Sequence, residues 1–141
     1  MFKKIVLFLL VLVIGAVFYY SWLTDPSLES ETYLPEWLIS KSNEYYNLRT
    51  ALPFVAVGFL LETYTQFMSP NGLNNKKSTF IQNLGIATII VFLAEGGQFF
   101  LQTRNPDLMD VYFGIIGSLV GGVGYNLLNV LMNSKRYRNA K

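Results

Sequence analysis

Five polar residues lie close together in the second half of the chain and have the residue types needed for chemistry: Glu95, Gln98, Arg104, Asp107 and Asp110. Glu95 and Gln98 are three positions apart, so a helix would place both on one face. Arg104 would lie in the following turn, with both aspartates at the start of the next helix. The pattern predicts carboxylates, an amide and a guanidinium at one end of a helical hairpin.

Several functions are open to this cluster. Arg104, with Arg49 as a further candidate, would hold a phosphate or carboxylate by paired hydrogen bonds. The carboxylates and Gln98 would accept hydrogen bonds from hydroxyls or amines of the same ligand. The three acids could instead bind Mg²⁺ or act as an acid–base pair in a membrane enzyme. They could also form a purely structural ion-pair network, and Asp107 and Asp110 alone suit a helix N-terminus. We expect ligand binding without a metal or cofactor, because the neighbouring arginine competes with a cation.

Composition narrows these possibilities. The chain has no cysteine and no histidine, which excludes disulfides, thiol nucleophiles and the commonest general base and metal ligand. Only 14% of its 141 residues are charged and 52% are hydrophobic, whereas a soluble domain has about a quarter charged residues. Clustered charges between long apolar runs indicate a membrane protein.

Four apolar runs predict an all-α membrane bundle that forms a single domain over residues 1–141. Each run is about as long as a membrane-spanning helix. The predicted spans are residues 5–22, 51–68, 80–101 and 111–132. We interpret the first as an uncleaved signal anchor, because bulky aromatic residues replace a small-residue cleavage site. Pro53 suits the first turn of the second span, and Asn105-Pro106 the start of the fourth.

The distribution of basic residues predicts the orientation, since cytoplasmic loops are rich in Lys and Arg. Eight basic residues would be cytoplasmic if both termini are inside: Lys3, Lys4, Lys76, Lys77, Lys135, Arg136, Arg138 and Lys141. Only three would be outside: Lys41, Arg49 and Arg104. We therefore expect both termini in the cytoplasm and the polar cluster at the outer face. The basic C-terminal tail is then a topology signal, and no nucleic-acid partner is expected.

Other features of the sequence carry structural predictions. In the outer loop, Leu34, Trp37, Leu38 and Tyr45 recur near helical spacing and predict a short interfacial helix, either an aromatic anchor or a lid over a ligand. Glu62 is expected to form hydrogen bonds inside the bundle, for instance with Thr63, Gln66, Gln82 or Asn83, rather than to take part in transport. Small residues in the fourth span predict close helix packing: Gly114, Gly117, Ser118, Gly121 and Gly122. The sequence does not define the oligomeric state.

The run from Glu95 to Gly121 resembles the signature of VanZ-like membrane proteins. That signature reads approximately E-x2-Q-x5-R-x2-D-x2-D-x3-N-x2-G-x3-G, and the chain departs from it at Gly114, where the pattern has Asn. The resemblance implies a multi-pass protein of the bacterial cytoplasmic membrane, in a family whose founding member is associated with low-level resistance to the glycopeptide teicoplanin. From it we expect membrane lipids as partners, with a lipid-linked cell-wall precursor or a glycopeptide as further candidate ligands.

Overall fold

The computed structural model describes residues 1–23, 32, 34–68, 76–100 and 107–139, and this part of the chain is entirely helical apart from short connections. Its α-helices are α1 (Phe2–Ser21), α2 (Glu36–Glu44), α3 (Tyr46–Met68), α4 (Lys76–Gly96) and α5 (Leu108–Asn139). A 3₁₀ turn, Gly97–Phe100, continues α4. The predicted all-α fold is confirmed.

Four of these helices are long and apolar enough to cross a membrane: α1, α3, α4 and α5. Their candidate spans are Phe2–Ser21, Leu48–Met68, Lys77–Phe100 and Leu108–Ser134. Many large apolar side chains on the outside of the bundle are exposed, as expected for helices that face lipid. The four predicted spans are therefore confirmed, and the chain has the architecture of a multi-pass membrane protein.

The start of α3 differs from the prediction. The helix begins at Tyr46, so Pro53 lies in its interior and the prediction of a first-turn proline is wrong. Tyr45, with φ −113° and ψ 53°, separates the end of α2 from the start of α3 at the next residue. Pro53 cannot donate the usual hydrogen bond to the carbonyl of Arg49. Membrane helices tolerate such prolines where neighbouring groups satisfy the backbone.

The most extensive contact between helices joins α3 to α5, which run parallel to each other. A Cβ atom added to Gly117 would overlap the carbonyl oxygen of Ala51, and one added to Gly121 would overlap that of Val55. On α3, an added Cβ at Gly58 would overlap the carbonyl oxygen of Ser118. The two backbones thus approach through small residues on both helices, the usual solution for helix packing in membranes.

Helices α1 and α4 complete the bundle around an apolar core. The buried cluster consists of Leu10, Val17, Phe54, Val57, Leu61, Ala87, Val91 and Ala94. Gly114 lies beneath this cluster, where an added Cβ would be 3.0 Å from Val91 Cγ2 and 3.2 Å from Phe54 Cδ2. The core therefore fixes α5 against α3 and α4 together.

A polar contact between α3 and α4 lies in the C-terminal half of α3. Asn83 Nδ2 donates hydrogen bonds of 2.9 Å to Glu62 Oε1 and to Thr65 Oγ1. Glu62 and Asn83 are both buried. Asn83 is one of the four partners expected for Glu62, and its hydrogen bond links α3 to α4 within the bundle.

Candidate functional site

The C-terminal ends of α1 and α4 are joined by side-chain hydrogen bonds. Ser21 Oγ lies 3.1 Å from the carbonyl oxygen of Ala94, and Trp22 Nε1 donates to the same oxygen at 3.0 Å. The Trp22 indole occupies the space beside Gly97, where even a Cβ would overlap it. These donors at the C-terminal end of α1 bind a carbonyl in the last turn of α4, where carbonyl groups have no N–H partner within their own helix.

Glu95 lies directly next to this junction and is 6% exposed. Gln98 Nε2 donates to Glu95 Oε2 at 2.9 Å, and Ser21 Oγ lies 3.3 Å from Glu95 Oε1. Gln98 Nε2 also donates to Ser21 Oγ at 3.0 Å. The predicted common face of Glu95 and Gln98 is thus a direct contact, which holds the carboxylate in place. Gln98 Oε1 is buried and has no hydrogen-bond partner within the described part of the chain.

Asp110 lies at the same end of the bundle, in the first turn of α5, and is 2% exposed. Thr50 Oγ1 donates a hydrogen bond of 2.7 Å to Asp110 Oδ1. This bond connects the N-terminal part of α3 to the first turn of α5. Two buried carboxylates, Glu95 and Asp110, are thus each held by donors from another helix.

Asp107 has a different environment from Asp110. It is exposed and precedes α5, and its Oδ1 accepts a hydrogen bond of 2.8 Å from the backbone N–H of Met109. This geometry is that of a helix N-cap. Asp107 does not line the pocket described below. Arg104 and the Asn105-Pro106 pair lie outside the described residues.

A pocket of about 470 Å³ opens between α1, α2, α3 and the ends of α4 and α5. This volume is within the range of small-molecule binding sites, about 300–1,000 Å³. Arg49, Glu95 and Asp110 are the charged residues among the described residues that line it. The other described residues that line it are Leu12, Val13, Ala16, Val17, Tyr20, Ser21, Leu34, Leu38, Ile39, Thr50, Pro53, Phe54, Ala56 and Ala94.

Polar and apolar residues occupy different levels of this pocket. Its charged groups come from the last turn of α4, the first turn of α5 and the first turns of α3, which lie at one end of the bundle. The walls extend deeper along α1 from Ser21 to Leu12, about 13 Å at the rise of an α-helix. Along α3 they extend from Arg49 to Ala56, about 10 Å. The pocket is therefore amphipathic, with a charged rim and an apolar interior.

The short helix predicted in the loop between the first two spans is α2, and it contributes to the pocket. Leu34, Leu38 and Ile39 line it, whereas Trp37 and Tyr45 are exposed, Trp37 by 66%. The aliphatic side chains of this segment thus contribute to the pocket lining, whereas the exposed rings of Trp37 and Tyr45 do not. Sequence analysis named Leu34 and Leu38 in this segment but missed Ile39, because an apolar lining residue has no signal distinct from a lipid-facing one.

Fold and pocket together define a multi-pass helical membrane protein with an amphipathic cavity at one end of its bundle. The chain matches no family model, no curated protein and no solved structure. Within the described ranges, no three acidic residues are grouped so as to hold a metal ion. Of the predicted site residues, Arg49, Glu95 and Asp110 line one pocket, and Gln98 donates a hydrogen bond to Glu95.

Proposed function

We propose that this chain is a protein of the bacterial cytoplasmic membrane that binds an amphiphilic molecule of the cell envelope. The headgroup lies at the charged rim, against Arg49, Glu95 and Asp110, and the hydrocarbon part enters between α1 and α3. The observation that carries the proposal is the amphipathic pocket, in which buried charged groups lie above an apolar interior.

The burial of Glu95 and Asp110 supports a role for these acids in ligand binding, because acids that only contact solvent would be exposed. A charged side chain within a membrane span is energetically expensive and normally faces protein or an aqueous cavity. Glu95 and Asp110 come from different helices, yet they line the same pocket. An arginine at the same rim matches phosphate and carboxylate groups by its fork of N–H donors. Ligand binding uses all three groups together.

The proposal includes an orientation. With both termini in the cytoplasm, the rim of the pocket is at the outer face of the membrane, accessible to the outer leaflet. The excess of Lys and Arg in the segments that would then be cytoplasmic supports this orientation. Membrane lipids and lipid-linked cell-wall precursors are then the available ligands, and a lipoglycopeptide could enter from outside.

The resemblance to VanZ-like proteins agrees with such an envelope function, and a role in glycopeptide resistance is part of the proposal. Position 114 differs from the pattern for a local reason. Because a Cβ there would lie 3.0 Å from Val91 and 3.2 Å from Phe54, an asparagine would require these core side chains to move. Gly114 itself has no side chain with which to make such a polar contact.

Photocrosslinking tests the proposal. The purified protein is incubated in detergent with a phospholipid that carries a diazirine on its acyl chain, irradiated and analysed by peptide mass spectrometry. We expect crosslinks concentrated in residues 12–17 of α1 and 53–56 of α3, which form the apolar walls. Crosslinks spread evenly over the lipid-facing surface would contradict the proposal.

A pair of variants makes the experiment specific to the pocket. Ala16→Phe places a ring in the pocket lumen and should remove most of the wall crosslinks. Val11→Phe on the same helix, where Val11 is 61% exposed, is the matched control and should leave them unchanged. Both proteins should elute as folded species from gel filtration. Equal crosslinking of the two variants would mean that the lipid binds elsewhere.

A further inference from the structure

We infer that Glu62 binds and releases a proton, in exchange with the water at the end of the bundle opposite the pocket. The inference goes beyond the proposed function, because it concerns another site and depends neither on the ligand of the pocket nor on the orientation of the chain. It follows from the depth of Glu62 in its span, from the neighbours of its carboxyl group and from a row of amide side chains that leads away from it.

Glu62 lies inside the apolar part of the bundle. It is 6% exposed, and Asn83, its hydrogen-bond partner, is 4% exposed. Along their helices, the two residues lie about 9 Å from the nearest ends of the candidate spans, at Met68 and Lys77. Half of the hydrocarbon core of a bilayer is about 15 Å thick, so this carboxyl group is at the depth of the acyl chains. An ionisable residue at such a depth is energetically expensive and marks a functional site.

The contact with Asn83 favours a proton over a metal ion as the bound species. Asn83 Nδ2 donates to Glu62 Oε1 and to Thr65 Oγ1, each at 2.9 Å, so N–H groups occupy the space between two oxygens that a cation would need as ligands. When a proton bonds to Glu62 Oε2, the neutral acid still accepts the hydrogen bond from Asn83 through Oε1 and gains an O–H donor. Protonation also removes the free-energy cost of a charge at this depth.

The helices packed around Glu62 present few charges to it. Among the described side chains, Tyr125 of α5 is its ionisable neighbour, and the two groups interact electrostatically. Helix α5 also presents Gly122, where an added Cβ would be 3.6 Å from Glu62 Cγ and 2.9 Å from the ring of Phe80 on α4. The buried residues of α1 are all apolar. Within the described part of the chain, no Lys or Arg side chain pairs with Glu62 and holds it in the charged form.

A row of asparagines connects this site with the end of the span in α5. Asn126, Asn129 and Asn133 follow Gly122 at steps of four, three and four residues, so they lie on the face of α5 that meets Glu62. Asn126 Nδ2 donates to the carbonyl oxygen of Gly122 at 3.0 Å, and Asn133 Nδ2 donates to Asn129 Oδ1 at 3.2 Å. The row covers about 16 Å and ends beside Ser134, the last residue of the candidate span.

This face of α5 differs from the surface that meets lipid. Asn126 and Asn129 are partly buried, whereas the apolar residues next to them are exposed, Leu127 by 60% and Val130 by 64%. The amides therefore face the bundle.

Helices α3 and α4 continue the polar path. Gln66 lies one turn beyond Glu62 on α3, and Thr79 lies one turn before Asn83 on α4, so both are displaced toward the same end of the bundle. Polar side chains of three helices thus lead from Glu62 to the aqueous phase. We assign this path to the proton.

Chemical labelling at different pH values tests the inference. A hydrophobic carbodiimide enters the membrane and modifies protonated carboxyl groups, and peptide mass spectrometry measures the modified fraction of Glu62. Sealed membrane vesicles are prepared in both orientations, with the internal pH buffered near neutrality and the external pH varied from mildly acidic to mildly alkaline. A parallel preparation of Ser78→Cys, treated with an impermeant maleimide, identifies the vesicles in which the start of α4 faces the outside.

In those vesicles, labelling of Glu62 should fall about tenfold or more as the external pH rises, because a group that is mostly ionised loses about tenfold of its protonated fraction per pH unit. In vesicles of the opposite orientation, labelling should not respond to the external pH. Labelling that is equal at every pH, absent at every pH or controlled by the pH at the pocket end would overturn the inference. The proposed function makes no use of Glu62 and would stand in each of these cases.

A pair of variants assigns the proton to Glu62. The infrared carbonyl band of protonated carboxyl groups is recorded on the purified protein in detergent over the same pH range. Glu62→Gln should remove most of the pH-dependent part of this band. Asp107→Asn is the matched control, because Asp107 is exposed and exposed carboxyl groups are mostly ionised in this range. If Glu62→Gln keeps the full pH-dependent band, another acid binds the proton and the inference is wrong. Labelling of the unmodified protein decides the question even if Glu62→Gln fails to fold.

Discussion

Thr50 Oγ1 donates a hydrogen bond of 2.7 Å to Asp110 Oδ1, across 60 residues of sequence, and thereby joins the beginnings of two parallel helices. Asp110 is almost fully buried, so the loss of a donor leaves part of its charge without compensation. Thr50→Val keeps the shape of the side chain and removes the hydroxyl. We expect the free energy of unfolding to fall by about 1–3 kcal/mol, measured as thermal stability in detergent.

The control for Thr50 lies on the same helix. Thr63 donates to the carbonyl of Phe59 within α3, at 2.7 Å, and does not link helices. Thr63→Val should therefore have a much smaller effect on stability, since the carbonyl keeps its place in the helix. If the two valine variants melt at the same temperature, the bond between Thr50 and Asp110 does not stabilise the bundle.

The contact between α3 and α5 predicts a difference between two glycines of one helix. A Cβ at Gly121 would overlap the carbonyl oxygen of Val55 and lie 2.9 Å from the backbone nitrogen of Phe59, while one at Gly124 would meet nothing within 4 Å. Gly121→Leu should greatly reduce the folded yield in detergent. Gly124→Leu should leave it unchanged or raise it, because leucine favours helix more than glycine does. Equal yields would show that backbone proximity at Gly121 is not required.

The buried pair Glu62 and Asn83 predicts coupling between two variants. Asn83→Leu removes the donor to Glu62 Oε1 and leaves a buried acceptor unsatisfied, which typically destabilises by about 1–3 kcal/mol. Replacing both residues with leucine removes the uncompensated group and should restore much of the loss. Thermal melting of the two single variants and the double variant measures this coupling. Gln82→Leu, at an exposed neighbouring position, is the control. Strictly additive losses would contradict a direct interaction.

The proposed orientation can be tested with introduced cysteines, because the natural chain has none. Ser40→Cys, on α2, should react with a membrane-impermeant maleimide in intact cells. Ser78→Cys, in the first turn of α4, should react only after the membrane is permeabilised. Both positions are exposed, so access to solvent does not separate them. Labelling of position 78 but not position 40 in intact cells would show that the chain has the opposite orientation, with the pocket at the cytoplasmic face.

The sequence alone determined the number and class of the helices. Spans are set by length and hydrophobicity, which are local properties, so all four could be predicted within a few residues. Spacing also predicted that Glu95 and Gln98 share a face, and in the structure these side chains form a hydrogen bond. Helix ends were less accurate: α3 begins before the apolar run, so Pro53 lies inside the helix.

Tertiary structure decided which residues form the pocket. Asp107 and Asp110 are three residues apart in sequence but have different environments in the structure. Asp107 is an exposed helix cap, whereas Asp110 is buried beside Thr50. Sequence spacing cannot distinguish them, because their burial depends on how α5 packs against α3, a helix distant in sequence. Ser21, Thr50 and the aliphatic residues of α2 reach the same pocket for the same reason. Local patterns define each helix, whereas the close approach of small residues determines which helices meet and hence which side chains surround the cavity.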